Sequence, residues 1–429
     1  MKILLFLFLP LFLFAQSFML SNIPRPKTYI QDLDPYECNE KCMKNYIDQG
    51  MFLSFLSRAT TKLKDRELNE MRVLAISILN LASFYEGEKF RIALLLPYKK
   101  IGKYASSTSN ATFAYLMTKS HPFMLKSYKV ETEELDELTE ALGKIHDDGF
   151  RYVIAPLTKQ GAQNVIDIDP FINIYFPTIN KKDVNTSSSS IVFGAIDYAA
   201  QSDLLLKRAL SPLVIFSDRS STGKTLAKYQ AQEYLKEDDI DEPSDSVFSL
   251  FSSMQKGSSG VEDKDLLEKK SVKNFISKRT TNIESYLKNN KKIIDGSFMI
   301  NTPIIKSGMI LSQITLYDVN TTNILSTQIN YDPLLLSMTQ YIDRKHMLVA
   351  NSITEKNNVL IETNSLVGND IVYDWINYTT TVGVDYLYSL ATGEQRAYTM
   401  DITNNQVSYD IELLQPSKSR FVKYTPLNE

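Results

Sequence analysis

Between residues 91 and 235 the sequence repeats one cycle three times: an apolar strand, a short loop and a helix. Residues 91–96 form an unbroken apolar run closed by Pro97, residues 123–130 alternate, and residues 151–155 form a further run ending at Pro156. Apolar runs without alternation are typical of strands buried on both faces. Strands separated by helices of roughly 10–15 residues predict right-handed βαβ units, and therefore an α/β fold with parallel sheets.

The same patterns predict the remaining elements. Helices are expected at 112–117, 135–149, 225–235, 273–288, 304–317 and 373–390, and strands at 171–176, 191–196, 213–217, 293–300, 323–330, 347–350, 396–402 and 407–413. Residues 236–271 are rich in Asp, Glu, Ser, Lys and Gly, with one short strand at 247–251. This composition predicts a mobile insertion within the α/β region.

The N-terminus predicts export. Lys2 precedes an apolar run over residues 3–15 that Pro10 interrupts, and this run is shorter than the ~20 residues that a membrane-spanning helix needs. We interpret residues 1–15 as a cleaved signal peptide ending at Ala15, with an uncleaved anchor as the alternative. No cysteine lies near the cleavage point, so the mature chain is predicted to carry no lipid and no transmembrane segment.

Residues 16–88 predict a small helical hairpin. Asp34 is placed as the N-cap of a first helix reaching residue 59, with Pro35 at its first position, and Asp65 as the N-cap of a second helix ending near Gly87. The hairpin is similar to one tetratricopeptide-type unit. A single unit of this kind cannot bury both faces, so we expect it to dock on the sheet domain or on a partner.

Cys38 and Cys42 are the two cysteines of the sequence. At this spacing near a helix start their Cα atoms come within about 6 Å, which a disulfide accepts, and an oxidising compartment favours the bond. The other interpretation is two reduced cysteines on one helix face. The three histidines are isolated in sequence, so no metal site is predicted, since zinc needs about four clustered ligands.

Charge and motifs argue against several functions. The net charge of −3 over 429 residues offers no field for a polyanion, so no nucleic-acid partner is predicted. The sequence contains neither Gly-x-Ser-x-Gly nor His-Glu-x-x-His. Gly223-Lys224-Thr225 resembles the end of a phosphate-binding loop, but Asp218 stands where that loop has its first glycine. We therefore predict no enzyme and no cofactor.

At this point a family resemblance can be stated. The segments RIALLLP at 91–97, YVIAPL at 152–157, IVFG at 191–194 and PLVIFS at 212–217 with Gly223, then DWINY at 374–378, Asp385 and ATG at 391–393, together resemble the type I periplasmic-binding-protein fold over residues 89–413. Within that fold the chain looks most like the penicillin-binding-protein activators, which join a helical-repeat domain to a bilobed domain. The resemblance implies a bilobed domain over residues 89–429 and a periplasmic location. Unlike typical activators, this sequence has one hairpin and no lipid-accepting cysteine.

The resemblance also implies a ligand cleft between the lobes, at the carboxyl ends of the strands. The candidate cleft residues are Lys99, Tyr104, Thr158, Asn180, Tyr198, Ser217 and Asp218. In solute receptors of this fold, a hydroxyl at a position like Thr158 commonly meets a ligand carboxylate. The other interpretation of all seven is ordinary loop residues.

Two functions therefore stay open. The first is a non-catalytic periplasmic regulator or scaffold that contacts a penicillin-binding protein or another envelope complex. The second is a solute receptor for a small, amino-acid-like ligand, serving a transporter or a sensor. Two acidic sequons, at Asn185 and Asn320, fit bacterial N-glycosylation or chance occurrence.

Overall fold

The computed structural model describes residues 30–79, 89–236 and 270–425. The chain divides into two compact units, Met1–Lys89 and Phe90–Glu429. The predicted signal peptide, the end of the second hairpin helix, the short strand at 247–251 and all but the borders of the predicted insertion lie outside the described residues.

The described part of the larger unit contains fourteen strands in two seven-stranded sheets. They are β1 Phe90–Pro97, β2 Phe123–Val130, β3 Tyr152–Ile154, β4 Asn173–Phe176, β5 Ile191–Phe193, β6 Leu213–Asp218, β7 Ser271–Ile276, β8 Ser297–Asn301, β9 Asn323–Ser326, β10 Met347–Asn351, β11 Ile402–Thr403, β12 Gln406–Val407, β13 Glu412–Pro416 and β14 Phe421–Lys423. The sheet orders are β11-β12-β5-β4-β3-β1-β2 and β14-β13-β10-β9-β8-β6-β7. We call the first sheet with its helices lobe 1 and the second lobe 2.

Helices connect these strands as the sequence predicts for βαβ units. The described helices are α1 Glu40–Asp48, α2 Phe52–Arg58, α3 Arg66–Ile78, α4 Tyr98–Ile101, α5 Tyr104–Met117, α6 Leu135–Asp147, α7 Lys159–Ile168, α8 Tyr198–Leu206, α9 Ser221–Lys236, α10 Glu284–Leu287, α11 Ile304–Leu316, α12 Pro333–Met338, α13 Tyr341–Arg344, α14 Asn358–Leu366 and α15 Trp375–Thr392. Five consecutive strands of each sheet, β5-β4-β3-β1-β2 and β10-β9-β8-β6-β7, are mutually parallel. The predicted bilobed α/β fold with parallel sheets is confirmed.

Each lobe has its own hydrophobic core. In lobe 1 the apolar side chains of α6 and α7 pack on β1, β3, β4 and β5, while α15 packs on α5 and the same sheet. In lobe 2 the apolar side chains of α8 and α9 pack on β6, β8, β9 and β10. β8 and β10 are buried along their whole length and β6 up to Ser217, which explains why their sequences lack alternation.

The chain crosses between the lobes three times. It leaves lobe 1 after β5, returns after β10 to form α14, α15, β11 and β12, and leaves again before β13. The Tyr409 hydroxyl of the third crossover donates to the Gly194 carbonyl of the first, at 2.7 Å. Tyr175 lies between Gly194 and Gly383, and a Cβ on either glycine would come within 2.2 Å of its ring or hydroxyl. These glycines therefore make room for a tyrosine beside the hinge.

Several predicted elements of the larger unit were wrong at their bounds, and the strand predicted over 407–413 is split between β12, which ends at Val407, and β13, which begins at Glu412. The polar stretch at 106–110 belongs to α5, because hydroxyls such as those of Ser109 and Thr112 bond back to carbonyls one turn earlier. Residues 171–172 precede β4, and Phe171 is fully exposed. The strand predicted over 323–330 ends at Ser326 and continues as a 3₁₀ turn, Gln328–Asn330.

Two larger errors have a clear physical cause. Residues 273–288 were predicted as a polar helix but contain β7, an edge strand whose half-exposed side chains include polar residues. Residues 396–401 were predicted as a strand, but side-chain carboxylates take their backbone N–H groups: Asp385 accepts from Ala397 and Tyr398, and Glu355 accepts from Thr399. The sheet instead continues through the short hairpin β11–β12.

The smaller unit has three described helices, not two. The first predicted helix is divided at Gly50, whose φ of +73° ends a helical turn. Asn39 caps α1, whereas Asp34 pairs with Arg58 at 3.0 Å and caps nothing. Asp65 accepts from the Leu68 N–H at the start of α3, as predicted.

Cys38 and Cys42 are joined in a disulfide, with Cα atoms 5.3 Å apart. Cys38 precedes the N-cap Asn39, and Cys42 lies in the first turn of α1. The bridge therefore links the residue before the N-cap to the first turn of the helix, so the two cysteines do not both lie within α1.

Candidate functional site

The carboxyl edge of the lobe 1 sheet is occupied by a carboxylate of the protein itself. Glu133, three residues beyond β2, is 3% exposed. Its side chain accepts from the Thr158 N–H at 3.0 Å and from the Thr158 hydroxyl. Thr158 caps α7, where free N–H groups and the helix dipole favour an anion. The hydroxyl predicted to meet a ligand carboxylate thus meets Glu133.

The backbone around Glu133 is adapted to this contact. Glu133 has a φ of +62°, a left-handed conformation that side chains other than glycine adopt at a cost of roughly 1–2 kcal/mol. Asn164 of α7 donates to the Glu133 carbonyl at 2.8 Å. A Cβ on Gly161 would lie 2.6 Å from the Glu133 carboxyl carbon. The left-handed backbone of Glu133, the hydrogen bond from Asn164 and the space beside Gly161 together place this carboxylate at the start of α7.

Lys99 lies at the same sheet edge, in an ion pair. Its ammonium contacts Glu131, which Lys129 also contacts at 2.9 Å. The hydrogen bond from Lys129, and to a smaller extent the one from Lys99, lowers the pKa of Glu131 to about 2. The Lys99 side chain is two-thirds exposed, so the pair is a solvated surface contact.

The carboxyl edge of the lobe 2 sheet is filled by a buried amide network, which we define as Gln201, Gln230, Asn301, Gln328 and Ser352. The Gln201 amide donates to Ser352 at 2.7 Å and to Gln328 at 3.1 Å, and its oxygen accepts from the Gln328 N–H at 2.9 Å. Gln230 and Asn301 exchange hydrogen bonds of 2.6 and 3.3 Å. Exposure of these side chains is at most 4%, so the network is closed to solvent.

Ser217 and Asp218 end β6 beside this network. Ser217 is buried, and the Asp218 carboxylate turns back to accept from the N–H and hydroxyl of Ser220. A Cβ on Gly223 would meet the Asp218 carboxylate at 2.2 Å. Asp218 therefore occupies the space beside the α9 N-terminus that a bound phosphate would need.

Tyr104 and Tyr198 come together across the lobes. Tyr104 begins α5 of lobe 1 and Tyr198 begins α8 of lobe 2. The Tyr198 ring packs edge-on against Trp375 at 6.4 Å. Burial is the main cause of the raised pKa of the Tyr198 hydroxyl, and the nearby Tyr104 and Asp374 raise it further. Tyr104 is exposed, whereas Tyr198 and Trp375 are partly buried. We call these three residues the interlobe aromatic group.

Asp374 lies beside this group as the N-cap of α15. Its carboxylate accepts from the N–H groups of Ile376 and Asn377 at 2.9 and 3.2 Å. Burial raises the pKa of Asp374 above its ordinary range, in opposition to these two hydrogen bonds. Sequence patterns located Tyr198 and the helix of Trp375, but not their contact.

A second aromatic contact joins the lobes. Tyr373, which precedes α15 in lobe 1, packs against Tyr331 and Phe421 of lobe 2 at ring distances of 4.9 and 6.3 Å, and the latter two rings are 4.9 Å apart. We call these three residues the ring clasp. Because its members come from both lobes, opening the lobes would separate Tyr373 from its two partners.

The remaining candidate, Asn180, has a local role. It is buried, and its side chain accepts from the Lys182 N–H at 3.1 Å, capping a 3₁₀ turn at Lys181–Asp183. Of the seven predicted cleft residues, the structure thus brings Tyr104 and Tyr198 together. Lys99, Thr158, Asn180 and Asp218 are engaged in contacts within their own lobes, and Ser217 is buried. Glu133 and the amide network were missed, because no local pattern marks a pairing between distant segments.

Two further properties bear on function. Within residues 30–79, 89–236 and 270–425, His, Cys, Asp and Glu side chains form no group of three or more that could hold a metal ion. Among the described helices, none combines the length and the apolar character that a membrane span requires.

Comparison with known proteins supports the fold. No protein-family model and no curated protein matches the sequence. The amino acid ABC transporter substrate-binding protein from Pseudomonas fluorescens matches with 12% identity and a TM-score of 0.51, over 79% of this chain and 95% of that one. The leucine-binding protein LivK from Thermotoga maritima matches with 11% identity and a TM-score of 0.51, over 78% and 98%.

LpoA from Haemophilus influenzae is also similar, with 9% identity and a TM-score of 0.48, over 90% of this chain and 72% of that one. This last similarity is too loose to favour a regulator over a receptor. The structures from Pseudomonas fluorescens and Thermotoga maritima align over almost their whole length. On these alignments and the two parallel sheets, the chain has the type I periplasmic-binding-protein-like fold.

Proposed function

We propose that this chain is a non-catalytic protein of the cell envelope whose bilobed domain contacts a protein partner instead of closing on a small ligand. The observation that carries the proposal is the Glu133–Thr158 contact. A receptor that binds an amino acid through its carboxylate needs free donors at such a position. Here both the N–H and the hydroxyl of Thr158 already bind an internal carboxylate.

The amide network supports the same conclusion in lobe 2. A ligand reaching the carboxyl edge of that sheet would have to break hydrogen bonds among buried amides, and unpaired buried polar groups cost roughly 1–3 kcal/mol each. Gln201 alone makes three hydrogen bonds in the network, two with Gln328 and one with Ser352. The lobe 2 edge is therefore built as a closed layer.

The ring clasp supports a fixed arrangement of the lobes. Hinge closure around a ligand requires the lobes to separate first. Separation would expose Tyr331, which is 4% exposed, and would break the contacts of Tyr373 with Tyr331 and Phe421. A constant bilobed surface suits a scaffold or regulator.

The proposal extends to location and domain organisation. We infer that residues 1–15 are removed on export to the periplasm, that residues 16–88 form a helical module, and that residues 89–429 form the bilobed domain with an insertion at 236–271. The partner that we propose is a penicillin-binding protein or another envelope complex. The LpoA structures include one described as a regulator of PBP1A; at a TM-score of 0.45 it gives no support, and the partner is our inference.

A receptor remains the second candidate because of one specific observation. The interlobe aromatic group and the Asp374 carboxylate lie together between the lobes, and aromatic rings with a carboxylate suit a ligand ammonium group. This function would use Tyr104, Tyr198 and Trp375, but not Thr158.

Two measurements separate the candidates. Cross-linking of a tagged full chain in living cells, followed by mass spectrometry, should reproducibly capture a penicillin-binding protein or another envelope protein. A thermal-shift screen with amino acids should leave the midpoint unchanged. A midpoint that rises with one amino acid, and no longer rises in Trp375→Ala, would establish the receptor and overturn our proposal.

A further inference from the structure

A cavity of about 610 Å³ lies at the opposite edge of lobe 1, away from the cleft. It is bounded by the end of α7, the start of β4 and the loop before β5. These are the amino ends of parallel strands, whereas Thr158 and Glu133 lie at the carboxyl ends. Its volume falls within the range of roughly 300–1,000 Å³ that small-molecule sites have.

The cavity wall combines one exposed ring with many neutral polar groups. Phe171 is 100% exposed, which is unfavourable for a large apolar side chain unless something covers it. Beside it the wall includes the amides of Asn173 and Asn185 and the hydroxyls of residues 186–190. Asp169 is the one ionisable lining residue.

The loop that carries these hydroxyls is held from both sides. Gln163 of α7 accepts from the Asn185 N–H at 3.2 Å and donates to the Asn185 carbonyl at 3.4 Å. Asn405, in the turn between β11 and β12, donates to the carbonyls of Ser188 and Ile191 at 2.9 and 2.8 Å. Because side chains from other elements fix its backbone, this irregular loop presents a preformed surface.

Several lining groups keep their hydrogen-bonding capacity. In the described part of the chain, the side chains of Asp169, Asn185, Ser187 and Ser189 have no hydrogen-bond or ion-pair partner. Ser188 and Ser190 share a hydrogen bond of 3.0 Å, which leaves further acceptor positions on both oxygens. The cavity therefore offers both donors and acceptors around an apolar ring.

This chemistry selects one ligand class. An apolar ligand would leave the amides and hydroxyls unpaired, and an anion would be repelled by Asp169. A sugar ring has hydroxyls that pair with amide, hydroxyl and carboxylate groups, and an apolar C–H face that packs on an aromatic ring. We propose that this cavity is a binding site for a neutral saccharide, with Phe171 as the stacking platform. The proposal is independent of the proposed partner of the bilobed domain.

The test is calorimetric titration of the full chain with chitotriose, cellotriose and maltotriose. At least one should bind with a one-to-one stoichiometry. Phe171→Ala should weaken that binding about tenfold or more, since stacking on an aromatic ring contributes on the order of a tenfold gain in affinity. Leu316→Ala is the matched control, because Leu316 is 70% exposed on α11 of lobe 2, and it should bind as the unchanged protein does.

Charge gives a second readout. Trigalacturonic acid should bind more weakly than the neutral sugars, and Asp169→Asn should reduce that difference. Phe171 and Asp169 have no buried contacts to lose, so neither variant should fail to fold. Absence of saturable binding by all three neutral sugars, or equal binding by Phe171→Ala, would overturn the proposal.

Discussion

Replacing Glu133 tests the occupied carboxylate site most directly. Glu133→Ala removes two hydrogen bonds to a buried carboxylate, leaves the Thr158 N–H without its acceptor, and removes an anion from the start of α7. Glu133→Gly removes the same groups but also relieves the left-handed backbone, whose φ is +62°. Glu133→Gln keeps the shape and removes the charge.

The magnitudes follow from these contacts. An unsatisfied buried donor costs about 1–3 kcal/mol, and loss of an anion from a helix N-terminus costs roughly 0.3–1 kcal/mol. We expect Glu133→Ala to lower the free energy of unfolding by about 3 kcal/mol and Glu133→Gln by about half as much. Glycine at position 133 removes roughly 1–2 kcal/mol of backbone strain, whereas its larger loss of conformational entropy on folding costs about 0.5–1 kcal/mol. We therefore expect Glu133→Gly to be more stable than Glu133→Ala.

Urea unfolding at neutral pH measures these differences. The fluorescence of Trp375, the one tryptophan of the sequence, reports on lobe 1 because α15 packs on that sheet. Acetate should raise the midpoint of Glu133→Ala but not of the unchanged protein, because only the variant has a vacant site beside Thr158.

Two outcomes would refute this reasoning. If Glu133→Gly is less stable than Glu133→Ala, the backbone at this position is not strained. If acetate shifts both proteins equally, the position beside Thr158 is not an anion site, and the Glu133–Thr158 contact does not exclude a ligand carboxylate.

Three other expectations concern packing, lobe closure and pH. Gly383→Ala should destabilise the protein by roughly 1–3 kcal/mol in urea unfolding, since its Cβ would meet the Tyr175 ring at 2.2 Å. Gly143→Ala, whose Cβ would have nothing within 4 Å, should stabilise the protein. Equal effects of the two variants would contradict this packing. Tyr373→Ala removes two ring contacts of about 0.5–1.5 kcal/mol each and should increase the radius of gyration in small-angle scattering; an unchanged radius would show that the clasp does not hold the lobes. The pKa of Glu131 is lowered from 4.5 to about 2. The contribution of the ionised Glu131 to the free energy of unfolding is therefore present above pH 4.5 and is lost as the pH falls towards 2. Glu131→Gln should flatten that part of the stability curve, and a curve as steep as before would assign the acid sensitivity elsewhere.

Sequence patterns predicted best the elements that show a clear hydrophobic period. The strand predicted at 123–130 has the bounds of β2, an edge strand whose side chains largely alternate in burial, and the helix predicted from 304 has the start of α11. The errors lie at β7, an edge strand, and at residues 396–401, where two carboxylates take the backbone donors. β7 buries only Ile276 and so shows no clear period, and a carboxylate from another segment leaves no local pattern.

In the candidate site, too, local patterns placed single residues, but contacts between distant segments were not predicted. Thr158 was placed correctly after β3, but its partner Glu133 is 25 residues away and lies on a backbone conformation that its residue type does not predict. Trp375 was expected on the closing helix, yet its contact with Tyr198 depends on how two lobes meet.

The sequence by itself determined the alternation of strands and helices, because strands buried on both faces must be apolar and their crossovers must cover the sheet. Only the tertiary structure decided what occupies the edges of those sheets. Gln201 meets Gln328 across 127 positions, and Tyr373 meets Tyr331 and Phe421 between the lobes. Such contacts depend on the docking of distant segments, and our proposal of a closed interaction module is based on them.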